Sequence, residues 1–125
     1  MDLFKDDPKI AVVYSNCTVL ESNKQLSSKY KRKLFRGMIF NDMLRNHFIP
    51  PSPTVIIKKE YIYSVGSFLD YKNALDLDLL LKLAFRYPFD FVEEPLAIYR
   101  IHENTLSFNY KNLCFEVFKI FLYFF

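Results

Sequence analysis

The chain has 125 residues with a formal net charge of +3, and 51% of its residues are hydrophobic and 18% aromatic. A chain of this size can bury roughly two-thirds of its unfolded surface, so we expect one domain with a core and exclude disordered and collagen-like classes. It has only two glycines, which argues against the glycine-rich phosphate loops of dinucleotide-binding proteins and P-loop enzymes.

The first predicted element is a strand at Lys9 to Ser15, where the run Ile-Ala-Val-Val-Tyr is continuous and β-branched. Such runs are typical of strands covered on both faces, as in a parallel sheet. Residues 16–33 are more polar and are predicted as a loop with a short outer strand near Thr18 to Leu20. This loop contains the basic run Lys29 to Lys33, which predicts a solvated surface, with anionic lipid head groups and then nucleic acid as the alternatives.

A helix, a strand and a second helix are predicted next. Met38 to His47 has apolar residues at helical spacing and precedes Pro50, which indicates a short amphipathic helix. Thr54 to Lys58 has a Val-Ile-Ile centre typical of a strand, and Lys59 to Val65 is predicted as a short helix that ends at Gly66. Alternation of strands and helices indicates an α/β layer structure.

Leu75 to Tyr87 is the strongest helix prediction, because it is rich in leucine, is free of glycine and proline, and precedes Pro88. Asp78, Lys82 and Arg86 recur every four residues. At that spacing they lie on one face, which we expect to be a solvated stripe.

Asp76 lies off this stripe, because two residues at about 100° each separate it from Asp78 by roughly 200°. One interpretation is a helix cap, in which Asn73 and Asp76 form a pair similar to a capping box. The other is a catalytic base at the edge of a cleft, since this side of the helix carries leucines and faces the protein.

Two short strands are predicted after this helix, Phe89 to Val92 and Ala97 to His102, separated by Glu93 to Pro95. In the second strand Arg100 and His102 share a face, because side chains alternate along a strand. A guanidinium and an imidazole on one face could hold a diphosphate and a metal ion. The alternative is the polar face of an outer strand.

The tail, residues 110–125, is predicted as an apolar C-terminal helix distinct from the domain of residues 1–109. It is shorter than the roughly 20 apolar residues that span a bilayer. Packing on the sheet, a position in a membrane interface, and truncation of a longer helix are the three alternatives.

Leu75 to Ala84 followed by Glu94 to Ser107 resembles the C-terminal half of family 2 glycosyltransferases with the GT-A fold. In that family an acidic pair opens a helix rich in Leu and Trp, and a Tyr-Arg-x-His segment ending in Ser follows about two dozen residues later. Upstream segments fall where family members have similar ones, and the resemblance runs from about Phe4 to Ser107. These segments are Ile10 to Asn16, Asn46, Thr54 to Lys59, and Val65 to Asp70, which is similar to a Val-Gly-Gly-Phe-Asp turn.

The resemblance implies an incomplete, Rossmann-like GT-A layer structure with a mixed sheet and flanking helices, the acceptor-side half of an enzyme of polysaccharide or glycan biosynthesis. By position, Asp76 matches the general base on the acceptor hydroxyl. His102 matches the histidine that helps to hold the metal and the donor diphosphate, with Arg100 beside it. Gly66 and Ser67 match the turn that lines the sugar pocket.

Two departures from the family are visible. Leu75 and Leu77 stand where the family usually has an acid and an aromatic residue, which puts acceptor binding in doubt. Nothing corresponds to the nucleotide-binding half with its D-x-D motif, because the carboxylates of Asp76 and Asp78 would project apart on a helix. We therefore expect a fragment that is inactive alone.

The implied cofactor is a divalent metal, Mg or Mn, in the intact enzyme, with none bound tightly by the fragment. The implied partners are a nucleotide-sugar donor and a glycan or lipid-linked acceptor. No nucleic acid is expected, and an unpaired sheet edge would favour self-association. Cys17 and Cys114 match no metal or redox spacing, and the sequence lacks a signal peptide, so we expect a cytoplasmic protein, at the inner face of the membrane if it binds one.

The competing hypothesis is a non-catalytic interaction module. In that case the basic loop and the aromatic tail would dock on a membrane surface or a partner.

Overall fold

The computed structural model describes residues 2–20, 26–27, 33–46, 50, 52–67, 75–100 and 110–124. Within this part of the chain it is a mixed α/β protein with a four-stranded sheet and five α-helices. The elements in chain order are α1 (Asp2–Asp6), β1 (Val12–Leu20), β2 (Leu26–Ser27), α2 (Phe40–Arg45), a 3-10 turn (Ser52–Thr54), β3 (Ile56–Ile57), α3 (Lys59–Ser64), α4 (Leu75–Arg86), β4 (Phe89–Arg100) and α5 (Tyr110–Phe124). The α/β prediction is confirmed at this level.

The sheet is organised around β1. It pairs with β4 in parallel over nearly its whole length, from Val12 opposite Phe89 to Leu20 opposite Arg100. Its other edge is shared by two short antiparallel strands, β3 beside Val12 and Val13, and β2 beside Val19 and Leu20. The continuous β-branched run is buried on both faces as predicted, because a central strand of a layered sheet has no solvent side.

Two strand predictions need correction. β1 runs on to Leu20 and does not stop at Ser15, and β4 is one strand where two were predicted. Between Ser15 and Cys17, β1 advances two residues while β4 advances five, from Val92 to Ala97. The predicted gap is therefore a bulge of four residues, 93–96, opposite Asn16. It contains Pro95, which cannot donate a ladder hydrogen bond, yet pairing resumes beyond it.

The short elements follow their predicted order. α2 lies inside the predicted helix, and β3 is shorter than predicted because the preceding residues form the 3-10 turn. α3 ends at Ser64, one residue before the predicted end, and Gly66 follows with a φ of 91°. The Ser67 N–H bonds to the Ile62 carbonyl (2.9 Å) and the Gly66 N–H to the Tyr63 carbonyl (3.2 Å), the pattern of a Schellman cap.

The core lies between the sheet and α4. Most leucines of α4 are at most 2% exposed, and they pack against the first half of β1 and the start of β4. Its buried residues include Ala11, Val12, Tyr14, Ile39, Met43, Leu79, Leu80, Leu81, Leu83, Ala84, Phe89 and Ile120.

The prediction of a solvated stripe on α4 is wrong for two of its three residues. Asp78 is 1% exposed and Lys82 is 6% exposed, and only Arg86 is exposed. The Lys82 Nζ lies 3.0 Å from Asp78 Oδ2 and 5.0 Å from the centre of the Tyr123 ring. α5 therefore covers a side of α4 that the helix pattern alone assigns to solvent.

α5 packs on the helices through one side. Ile120 is fully buried, and the Phe124 ring lies 5.2 Å from the Phe40 ring and 5.7 Å from the Phe85 ring. Within the described residues, no helix combines the length and the hydropathy that crossing a membrane requires.

Candidate functional site

Asp76 lies in the first turn of α4 and is half-buried. Its Oδ1 accepts a hydrogen bond from the Leu77 N–H (2.9 Å), and its Oδ2 accepts one from the Ser52 hydroxyl. The bond to the backbone N–H is cap-like, since it satisfies a donor that a helix start leaves unpaired. Asn73, the predicted partner in the cap, lies outside the described residues. The side chain is thus fixed at both oxygens and remains accessible.

Ser52 connects Asp76 to the sheet. It begins the 3-10 turn, whose last residue, Thr54, lines a cleft of about 340 Å³ together with Ser15, Val92 and Leu96. The cleft lies beside the bulge in the β1–β4 ladder, and the Ser15 hydroxyl there donates to the Asn16 carbonyl (2.8 Å). Asp76 does not line this cleft and is connected to it through the turn.

Gly66 and Ser67 form the turn after α3, with φ values of 91° and 62°. The contacts of α3 are made with the other end of α4: the Ser64 hydroxyl lies 2.8 Å from the Tyr87 hydroxyl, and Arg86 donates to the Ser64 carbonyl (3.0 Å). Arg86 is ten residues beyond Asp76, or about 15 Å along the helix axis. The described contacts therefore do not bring the turn and Asp76 together.

The predicted basic pair falls at the limit of the described chain. The backbone of Arg100 ends β4 opposite Leu20, and His102 lies outside the described residues. The convergence of Asp76, Arg100 and His102 stays a prediction.

Asp76 and Asp78 have separate environments, as the prediction of divergent carboxylates requires. Asp78 faces Lys82 in the interior and Asp76 faces Ser52 at the surface. Among the described residues, no three His, Cys, Asp or Glu side chains converge as a metal site. The described residues alone do not form the divalent site that the resemblance implies.

Sequence reasoning missed two features. Ser52 lies in a proline-rich connection for which the sequence predicts no role. The only feature that marks it is a hydroxyl next to Pro53. The second is a cleft of about 240 Å³ between α3, α4 and α5, lined by Val65, Lys82, Phe85, Arg86, Tyr123 and Phe124. Both depend on contacts between residues far apart in sequence.

Comparison of the chain with models of protein families and with curated proteins finds no match.

Proposed function

We propose that the chain is the acceptor-side half of an inverting glycosyltransferase of the GT-A class, which transfers a sugar from a nucleotide donor to an acceptor hydroxyl. In that reaction the acceptor oxygen attacks the anomeric carbon, the bond from this carbon to the diphosphate oxygen of the donor breaks, and the nucleoside diphosphate leaves. A carboxylate removes the proton of the acceptor hydroxyl. Asp76 is the base. The donor is bound by a nucleotide-binding half that complements this chain.

The observation that supports this role is the double anchoring of Asp76. A general base must be held within hydrogen-bond reach of the proton that it removes, and Asp76 is fixed by Leu77 on one oxygen and Ser52 on the other. A carboxylate has about four lone-pair sites, so two remain for an acceptor hydroxyl. A half-buried position at a helix start keeps the group ordered and open to substrate.

Ser52 is a positioning residue in this proposal. Its hydroxyl joins the carboxylate to the turn that borders the cleft over β1 and β4. This cleft lies over the only parallel pair among the described strands, where the bulge interrupts their ladder. An acceptor seated there would approach Asp76 past the turn.

The test is a chimera of this chain with the nucleotide-binding half of a related enzyme, assayed for transfer to a hydroxyl acceptor. We expect Asp76→Asn to lower kcat by about 10²–10⁴, the usual contribution of a general base. Glu60→Gln is the matched control, because Glu60 is an exposed carboxylate in the first turn of α3 and should change the rate little.

Two results would refute the assignment. One is an Asp76→Asn rate within a factor of about two of the parent, far below the range for a lost base. The other is a product that retains the anomeric configuration of the donor, since a single displacement assisted by one base inverts it.

A further inference from the structure

Among the described side chains of α5, those on the side that faces away from the protein are apolar except for Lys119. Phe115, Phe118, Leu122 and Tyr123 are 60–63% exposed, whereas Ile120 on the opposite side is fully buried. At about 100° per residue, these four side chains fall within an arc of about 140°. We call this arc the outer face of α5.

Charge on and beside this face is positive. Lys119 lies within the arc, and its Nζ is 4.7 Å from the centre of the Phe115 ring. Arg86 is exposed and lines a cleft with Tyr123, which lies at the edge of the outer face that is nearest to Lys82. The one acid of the described α5 side chains, Glu116, lies outside the arc and is half-buried.

We infer that the outer face of α5 docks on an anionic phospholipid surface. A helix held by Ile120 and Phe124 on its inner side presents Phe115, Phe118 and Leu122 on its outer side, the arrangement in which an interfacial helix inserts its apolar side about 5–10 Å into the head-group region. Tyrosine, here Tyr123, is enriched in that region. Lys119 and Arg86 would meet lipid phosphates.

Charge also decides between a membrane and a second copy of the chain. Two-fold pairing of the outer face would place the same patch on itself, so Lys119 and Arg86 of one copy would face the same cations of the other. An anionic surface complements these cations instead. The inference goes beyond sugar transfer and does not depend on it.

The test is sedimentation of the full chain with phosphatidylcholine vesicles with and without phosphatidylglycerol, at low and high salt. We expect binding to the anionic vesicles that weakens as salt is added. The double variant Phe118→Ser/Leu122→Ser should bind about tenfold more weakly or worse, because it removes two inserting apolar side chains. Lys119→Gln should cost about fivefold and reduce the salt dependence.

Tyr63→Ser is the control variant, because Tyr63 is an aromatic residue of α3 that is 65% exposed and outside this face. It should bind like the parent, and circular dichroism should show every variant folded, since all of these positions are exposed. Absence of sedimentation with anionic vesicles at low salt would overturn the inference, as would equal binding of Phe118→Ser/Leu122→Ser and the parent. Conversion of a dimer to a monomer by that variant without vesicles would assign the face to self-association and overturn it too.

Discussion

Tyr14 ties the centre of the sheet to the segment that precedes α2. Its hydroxyl donates to the Phe35 carbonyl (2.6 Å) and accepts from the Phe35 N–H (2.7 Å), and the residue is 1% exposed. Burial raises the pKa of Tyr14 to about 12, because the phenolate would lose its hydration.

Stability should therefore fall at alkaline pH. The folded state holds the Tyr14 proton more tightly than the unfolded state, whose pKa is 10.0, so this contribution is complete below pH 10 and is lost as pH rises towards 12. The loss is about 3 kcal/mol, from two pH units at about 1.4 kcal/mol each. Urea unfolding of the parent and of Tyr14→Phe across this range measures it.

The comparison isolates Tyr14 from other groups that titrate at high pH. The free energy of unfolding of Tyr14→Phe should be about 1–2 kcal/mol lower at neutral pH, since the Phe35 backbone groups lose the hydroxyl. The gap between the two proteins should then close above pH 10 and reverse as pH approaches 12, because the parent loses about 3 kcal/mol that Tyr14→Phe does not lose. A gap that is constant with pH would show that Tyr14 has an ordinary pKa.

Ser67 is strained where Gly66 is not. Both have positive φ values, 62° and 91°, a region in which a residue with a Cβ pays about 1–2 kcal/mol. Ser67→Gly should raise the free energy of unfolding by about 0.5–1 kcal/mol, the strain relieved less the extra entropy of an unfolded glycine. Gly66→Ala should lower it by about 1–2 kcal/mol through φ alone, because a Cβ there would meet nothing within 4 Å. Thermal unfolding with the same sign for both changes would contradict this account.

At the level of elements, α4 shows which structural features a sequence pattern predicts and which it does not. Its start at Leu75 and its end near Pro88 follow from leucine content and a proline stop. α4 has apolar residues on several sides, and α5, which is far away in sequence, covers the side that carries Asp78 and Lys82. The burial of these two residues therefore does not follow from the pattern of α4 alone. Asp76 could be identified as a candidate site residue from its place in the first turn of α4. Its bond to Ser52 could not, since the two are 24 residues apart.

Substitutions at Asp78 and Lys82 should have non-additive effects on the free energy of unfolding. Lys82→Met would leave a buried carboxylate without its cation and should lower the free energy of unfolding by about 3–5 kcal/mol. Asp78→Asn/Lys82→Met should cost less than Lys82→Met, because no uncompensated charge remains. Arg86→Met, four residues on and exposed, is the matched control. Urea denaturation showing equal costs for Lys82→Met and Arg86→Met would contradict burial of the pair.

At the scale of the whole molecule, one edge of the described sheet has little pairing. Among the described residues, the edge of β4 away from β1 is bridged only at Phe89, to Gly37. Leu96 and Ile98 along this strand are 64% and 60% exposed. An exposed apolar edge strand is a template for pairing with another chain.

We therefore expect the chain to associate with itself through β4. Ile98→Lys should shift it to a monomer in size-exclusion chromatography with light scattering, because an edge lysine opposes pairing. Phe118→Ser, on α5, should leave the elution volume unchanged. A parent chain that elutes as a monomer at all concentrations would show that the edge is protected.

The four-residue bulge opposite Asn16 divides the long ladder into two segments that differ in burial. The segment from Val12 to Ser15 lies in the core, while the segment from Cys17 onward is only half-buried where its side chains are described. Because cooperative units follow contiguous packing, we expect the distal segment to open and close without loosening the core. Protection of its amides from hydrogen exchange would then report a local equilibrium, distinct from global unfolding.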